Sequence, residues 1–181
     1  DGTLVRGRQA LPGAGAFLDS LDGRFVIVSN NAEHTPPELS RGLKRLGLSV
    51  ASHRIVLAGT TALDDIASRR SRARILMLAS KSLMIRARDL GLVPVEARPD
   101  VVFLGRDRHF SYEKLMRAAN AVRDGAELVA ANPDLVHPGD DGAVIPETGA
   151  LLAALLACTG PVPHRIVGKP EPALFEAGLA L

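Results

Sequence analysis

The chain has 181 residues, 46% hydrophobic and 23% charged, enough to bury a core as one domain or as two small ones. A formal net charge of +2 excludes a strongly basic surface and argues against nucleic acid as the main partner. Neither a signal peptide nor an apolar run of the ~18 residues a membrane span needs is legible, and the single cysteine, Cys158, rules out an intrachain disulfide, as suits a reducing cytoplasm.

Short β-branched runs alternate with helical segments along the chain, the pattern of an α/β protein with a parallel sheet. After an opening Asp1-Gly2-Thr3-Leu4, "RFVIVSN" (Arg24–Asn30) reads as a buried strand. Thr35 with Glu38 three residues on suits a capping box, Pro36 the first helical position and Gly47 the end of that helix. Arg54–Gly59 reads as the next strand, with "TTALDDIASRR" helical behind it. Arg72–Ser80 is a strand again, followed by a helix from about Ser82 to Leu90 with Gly91 as its cap. Asp100–Gly105 then precedes a helix begun by Ser111 and ended by Gly125, and Ala126–Asn132 reads as a strand. A Pro- and Gly-rich loop leads to a helix around Leu151–Leu156, in whose apolar run Cys158 reads as a buried, inert thiol. The strand Arg165–Gly168 and a last helix from Pro172 complete the pattern. The one charge run, Arg69, Arg70, Arg72 and Arg74, is either a solvated turn or an anion-binding patch.

Three polar segments each follow or resemble the end of an apolar strand: Asp1-Gly2-Thr3, Ser29-Asn30-Asn31 and Gly168-Lys169-Pro170. Ligands of parallel α/β sheets bind at such carboxyl ends. Singly, each has a plain alternative: a turn, a cap and a loop lysine. Together, an acid, a hydroxyl with amides and a lysine are what phosphoryl chemistry requires. The acid protonates a leaving alcohol, while hydroxyl, N–H groups and ammonium hold the phosphoryl oxygens.

In this order, "DGTL", "VIVSNN" and "VGKP" resemble motifs one to three of the haloacid dehalogenase superfamily of phosphatases. "DRHFSYEKLMRAANAV", "AANPD" and "PETGALLAALLACTG" are similar to its NagD-type class, which includes p-nitrophenyl-phosphate, nucleotide and phosphoglycolate phosphatases. The resemblance covers nearly the whole chain. It implies an α/β, Rossmann-like core with an inserted, smaller α/β cap: core over 1–71, cap over 72–163 and core again over 164–181. It implies a Mg²⁺-dependent phosphomonoester hydrolase acting on a small phosphorylated metabolite through an aspartyl phosphate. Asp1 resembles the general acid/base, whose backbone carbonyl is also a Mg²⁺ ligand. Ser29 and Asn30 resemble the binders of phosphate oxygens, with Asn31 beside the substrate, and Lys169 the lysine that pairs with nucleophile and phosphate. The nucleophile itself would stand two positions before Asp1, and a fourth, metal-binding motif would follow Leu181; both lie outside this chain.

In such a family the cap closes over the site and chooses the leaving group. The loops expected to face the core are Asn132–Asp134, contributing Asn132 and Asp134, and Ile145–Gly149. Arg106 stands where the family often has an apolar residue; it either meets a second anionic group on the substrate or sits solvated at a strand end, and His109 poses the same choice. His34, His53, His137 and His164 lack ligand spacing and read as surface or loop residues. Relatives often form homodimers through the cap. A non-catalytic module binding a phosphorylated ligand or partner is the alternative to an enzyme. Another kind of nucleotide-binding domain is disfavoured by the lack of a glycine-rich fingerprint after any strand.

Overall fold

The computed structural model describes residues 2–7, 9–139 and 142–181. Strand pairing divides them into two units. The first opens with an antiparallel pair, β1 (Val5–Arg6) and β2 (Gln9–Ala10), followed by helix α1 (Ala14–Ser20). Strand β3 (Ile27–Ser29), helix α2 (Pro36–Arg45) and strand β4 (Ile55–Leu57) come next, with β3 and β4 parallel neighbours. Helix α2 starts as its sequence dictates: Glu38 accepts from Thr35 N at 2.8 Å and from Thr35 Oγ1 at 2.9 Å, and Pro36 takes the first turn. Nothing in the sequence signals α1, which has no side-chain cap and buries only Ala14 and Leu18.

Helix α3 (Ala58–Arg69) leads into the second unit. Its elements are β5 (Arg74–Leu78), α4 (Lys81–Asp89), β6 (Val93–Pro94), β7 (Val101–Leu104), α5 (Tyr112–Arg123) and β8 (Glu127–Ala130). An antiparallel hairpin of β9 (Val136–Pro138) and β10 (Val144–Pro146) precedes α6 (Thr148–Thr159), β11 (His164–Ile166) and α7 (Pro172–Leu179). Five strands form an all-parallel sheet in the order β11-β8-β7-β5-β6.

The two-residue period of a strand explains the layering. Ile75, Met77, Val101 and Phe103 join one buried cluster with residues of α3, α4 and α7. Leu76, Leu78, Val102 and Leu104 join another with α5 and α6. Helices on both faces explain why these strands read as unbroken apolar runs. Ser80 and Ser111 cap α4 and α5 by accepting from Leu83 N and Lys114 N, both at 3.3 Å.

Several expectations need correction. The sheet continues past residue 163, because β11 pairs with β8; of the segment 164–181, it is α7 that contacts β3 and β4. Strand β3 is half-buried along its length, not buried, since β4 is its only strand neighbour among the described residues. Cys158 is exposed: α6 buries Thr148, Gly149, Leu152 and Leu155, and Cys158 falls off that stripe. The arginine run is the solvated turn between α3 and β5 with all four arginines exposed, and three of them make surface contacts. Arg69 pairs with Asp65 and Glu127 at 3.0 Å each, Arg70 with Glu127 at 3.6 Å, and Arg74 donates to Ala97 O at 2.7 Å. Among the described residues no helix is long and apolar enough to cross a membrane.

Candidate functional site

The loops after β3, β7, β8 and β11 leave the carboxyl ends of parallel strands and meet between the two units, the place such sheets offer a ligand. Asn30 is the centre of this meeting. Its Nδ2 donates to Asp134 Oδ1 at 3.2 Å, Asp134 Oδ2 at 3.1 Å and Lys169 O at 3.1 Å. Its Oδ1 accepts from Lys169 N at 2.7 Å, and its own carbonyl accepts from Asn132 Nδ2 at 2.5 Å. Asn132 Oδ1 in turn accepts from Asp134 N at 3.0 Å. One hydrogen-bonded cluster thus assembles Asn30, Asn132, Asp134 and Lys169 from three loops remote in sequence.

Two glycines let the backbones approach this closely. Gly168 donates to Ala131 O at 2.7 Å, and a Cβ there would lie 2.8 Å from Ala131 O, Asn132 Cβ and Asn30 Oδ1 alike. Gly149 donates to Asp134 O at 2.8 Å, and a Cβ there would run into Pro133 O. Glycine is demanded by space at both positions.

The side-chain roles divide accordingly. Asn30 is fully engaged by protein, so its amide holds the site together and has no donor to spare. Asn31 is also occupied: its Oδ1 accepts from Glu33 N at 3.1 Å and His34 N at 2.8 Å, an Asx turn that leads the chain toward α2. Ser29 Oγ accepts from Asn31 N at 3.2 Å, and among the described residues nothing takes its proton. Lys169 is pinned by its backbone, while its ammonium has no carboxylate within ion-pair distance among the described residues. Asp1, the expected acid and metal ligand, lies outside the described residues.

A cleft of about 920 Å³ opens over these groups, a volume suited to a small ligand. Ser29, Asn31, Arg106, His137, Glu147 and Lys169 are among the residues that line it. Arg106 is not solvated at a strand end but paired within the protein. Its Nη1 lies 2.9 Å from Glu33 Oε2 and its Nε 3.6 Å from Glu147 Oε1, while its backbone N–H donates to Ala32 O at 2.9 Å. His137 Nδ1 is buried and 2.7 Å from Glu147 Oε1, off the axis of a full hydrogen bond; this histidine is a wall residue of the cleft, not a loop residue at the surface. Sequence reasoning missed Glu33 and Glu147 as wall residues. Their only signals are position: Glu33 stands two residues after Asn31, and Glu147 lies in the Ile145–Gly149 segment. His109 is exposed, and its N–H donates to the buried Asp107, whose other oxygen meets Lys114 Nζ at 2.6 Å. That segment is a braced turn.

Among the described residues no three His, Cys, Asp or Glu side chains converge as a metal site, so they do not by themselves complete an ion's donor set.

Known proteins share this fold. A dihydroxyacetone phosphatase from Corynebacterium glutamicum is 32% identical over 99% of this chain and 66% of its own length. A crystallised glycerol phosphate phosphatase from Mycobacterium tuberculosis, in complex with magnesium, superposes with a TM-score of 0.92 at 34% identity over 99% of this chain and 55% of its own. A 4-nitrophenylphosphatase from Thermotoga maritima superposes with a TM-score of 0.90 at 32% identity, over 97% of this chain and 68% of its own. The chain thus spans between about half and two thirds of the length of these relatives. The profile of haloacid dehalogenase-like hydrolases matches residues 1–93, and with the 32% identity along nearly its entire length the chain belongs to that family.

Proposed function

We propose that this protein hydrolyses phosphomonoesters of small metabolites. The observation that supports this most is the Asn30 clasp, which sets the Ser29 hydroxyl and the Lys169 ammonium beside one cleft with their reactive atoms uncommitted to other side chains among the described residues. The phosphatase names of the three relatives point the same way.

In this reading an aspartate two positions before Asp1 in the full protein attacks phosphorus, and the ester P–O bond breaks. Asp1 gives its proton to the departing alkoxide. It then takes a proton from the water that cleaves the aspartyl phosphate, releasing inorganic phosphate and restoring both carboxyl groups. Ser29 donates to a phosphoryl oxygen, and the Lys169 charge offsets the negative charge of the transferring group. The Asn30 side chain only positions; any contact of Asn30 with phosphate falls to its backbone N–H. Asn132 and Asp134 hold the substrate-facing loop in place. Magnesium, present in the mycobacterial relative, is the proposed cofactor and supplies further charge neutralisation when bound. The five-stranded unit serves as the cap that excludes water.

The test is hydrolysis of p-nitrophenyl phosphate by the full-length protein. Activity should require Mg²⁺, vanish with EDTA and in Asp1→Asn, and fall by roughly 10²-fold or more in kcat in Lys169→Met. Activity that survives EDTA or Asp1→Asn would refute the mechanism.

A further inference from the structure

The residues that follow β3 run along the carboxyl edge of the five-stranded sheet and are held there strand by strand. Asn30 bonds the loops after β8 and β11, through Asp134 and Lys169. Ala32 O accepts from Arg106 N, after β7, at 2.9 Å, and Glu33 O accepts from Ser80 Oγ, after β5, at 2.5 Å. The β7 contact is doubled by a close ion pair, since Arg106 Nη1 also donates to Glu33 Oε2 at 2.9 Å. Gly105 makes room for this approach: a Cβ there would lie 2.9 Å from Ala32 O.

The ion pair is built to hold. Its side chains are 21% and 17% exposed, so solvent and salt weaken it less than a surface pair. Arg108 reaches Glu33 only at 3.9 Å from a side chain 72% exposed, too loose to take its place. Arg106 Nε lies 3.6 Å from Glu147 Oε1, and Glu147 has His137 Nδ1 2.7 Å away in addition, so the guanidinium is braced by the start of α6 as well. A planar fork of donors can address two carboxylates at once, which a lysine's single ammonium does less well.

The loop gripped in this way begins at Ser29. Ser29 Oγ accepts from Asn31 N at 3.2 Å, so the hydroxyl is tied to the backbone that Arg106 holds. Asn31 Oδ1 accepts from Glu33 N at 3.1 Å, which couples the middle of the loop to its far end. A misplacement of about 1 Å at a reacting group can cost on the order of 10²-fold in rate. We infer that Arg106 is a positioning residue of the phosphatase reaction: by gripping Ala32 and Glu33 from the loop after β7 it fixes the Ser29 hydroxyl at the cleft, and it touches no substrate itself. The inference rests on the phosphatase reading above and adds to it a residue of the five-stranded unit.

The test uses the full-length protein with Mg²⁺ and p-nitrophenyl phosphate, whose leaving group carries no second anionic group. Arg106→Met should lower kcat roughly tenfold and leave KM within about threefold. Ser29→Ala lowers kcat by itself, and in that background Arg106→Met should lower it by less than about twofold more, because the hydroxyl it positions is gone. Glu33→Gln should behave in the same way on a smaller scale, and it decides the matter if Arg106→Met shows no thermal unfolding transition. Amide exchange across residues 29–33 should quicken roughly tenfold in Arg106→Met and keep the parent rate in Arg108→Met. Losses from Arg106→Met and Ser29→Ala that simply multiply overturn the inference, because an arginine with a merely structural role acts independently of the hydroxyl. A raised KM at unchanged kcat overturns it too, and makes Arg106 a substrate binder. Both results leave the phosphatase reading intact, whereas a parent protein inert with Mg²⁺ refutes that reading and this inference with it.

Discussion

Strands β7 and β3 are both short apolar runs, yet the chain uses them oppositely. All four residues of β7 are buried between two layers of helices, while β3 is half-buried throughout. The residues after β3 stay in place through hydrogen bonds to loops of the other unit as well as through the burial of Ala32: Asn30 bonds Asp134 and Lys169, and Ala32 O accepts from Arg106 N. The five-stranded unit thus provides stiffness, and the end of β3 borrows it. Function sits where burial is least complete, because a ligand must reach it.

The largest expected effect tests the stiff side. Phe103 is wholly buried at the centre of the five-stranded sheet, so Phe103→Ala should cost about 3–5 kcal/mol in urea unfolding. Val28→Ala, in half-buried β3, should cost less than about 1.5 kcal/mol. Equal losses would dissolve the contrast between the strands.

Asn30 sharpens the comparison at the border. Asn30→Ala leaves Lys169 N–H and the Asp134 carboxylate without their partner, at about 2 kcal/mol of stability. Asn30→Asp keeps the shape but sets an acceptor against Asp134, so it should destabilise more than Asn30→Ala at neutral pH. Were Asn30 a simple ligand binder, Asn30→Asp would unfold at nearly the same urea concentration as the parent while losing activity.

How far the sequence discloses all this depends on the range of the interaction. Helix α2 is legible because Thr35, Pro36 and Glu38 act within one turn, and β7 because both its faces are apolar. Ser29, Asn30 and Lys169 are legible as polar groups at strand ends. What Asn30 does is not, since its partners lie 104 and 139 positions away. Arg106 meets Glu33 across 73 positions, so its clamp has no local signature. The β9–β10 hairpin hides for another reason. Its strands are short, contain Pro138 and Pro146 and stay largely exposed, yet it brings His137 to Glu147.

The smallest expected effect concerns a bond between the units. Glu38, at the start of α2, accepts from Ser82 Oγ of α4 at 2.7 Å as well as from Thr35 N and Oγ1. Partial burial pushes its carboxyl up, but the Ser82 bond, the two Thr35 bonds and nearby His34 together bring it below the ordinary glutamate value. A carboxyl depressed in the folded state stabilises above its unfolded pKa, and that contribution disappears as pH falls through the folded value. The loss should therefore set in below about pH 4.3, and because Glu38 is only partly buried it should amount to less than about 1 kcal/mol. Unfolding free energies at pH 7 and pH 3 for the parent and for Glu38→Gln measure it. The parent should exceed the variant at pH 7 by more than at pH 3. A gap that does not shrink on acidification would mean that the neutral side chain serves as well, and that the tie between α2 and α4 does not depend on charge.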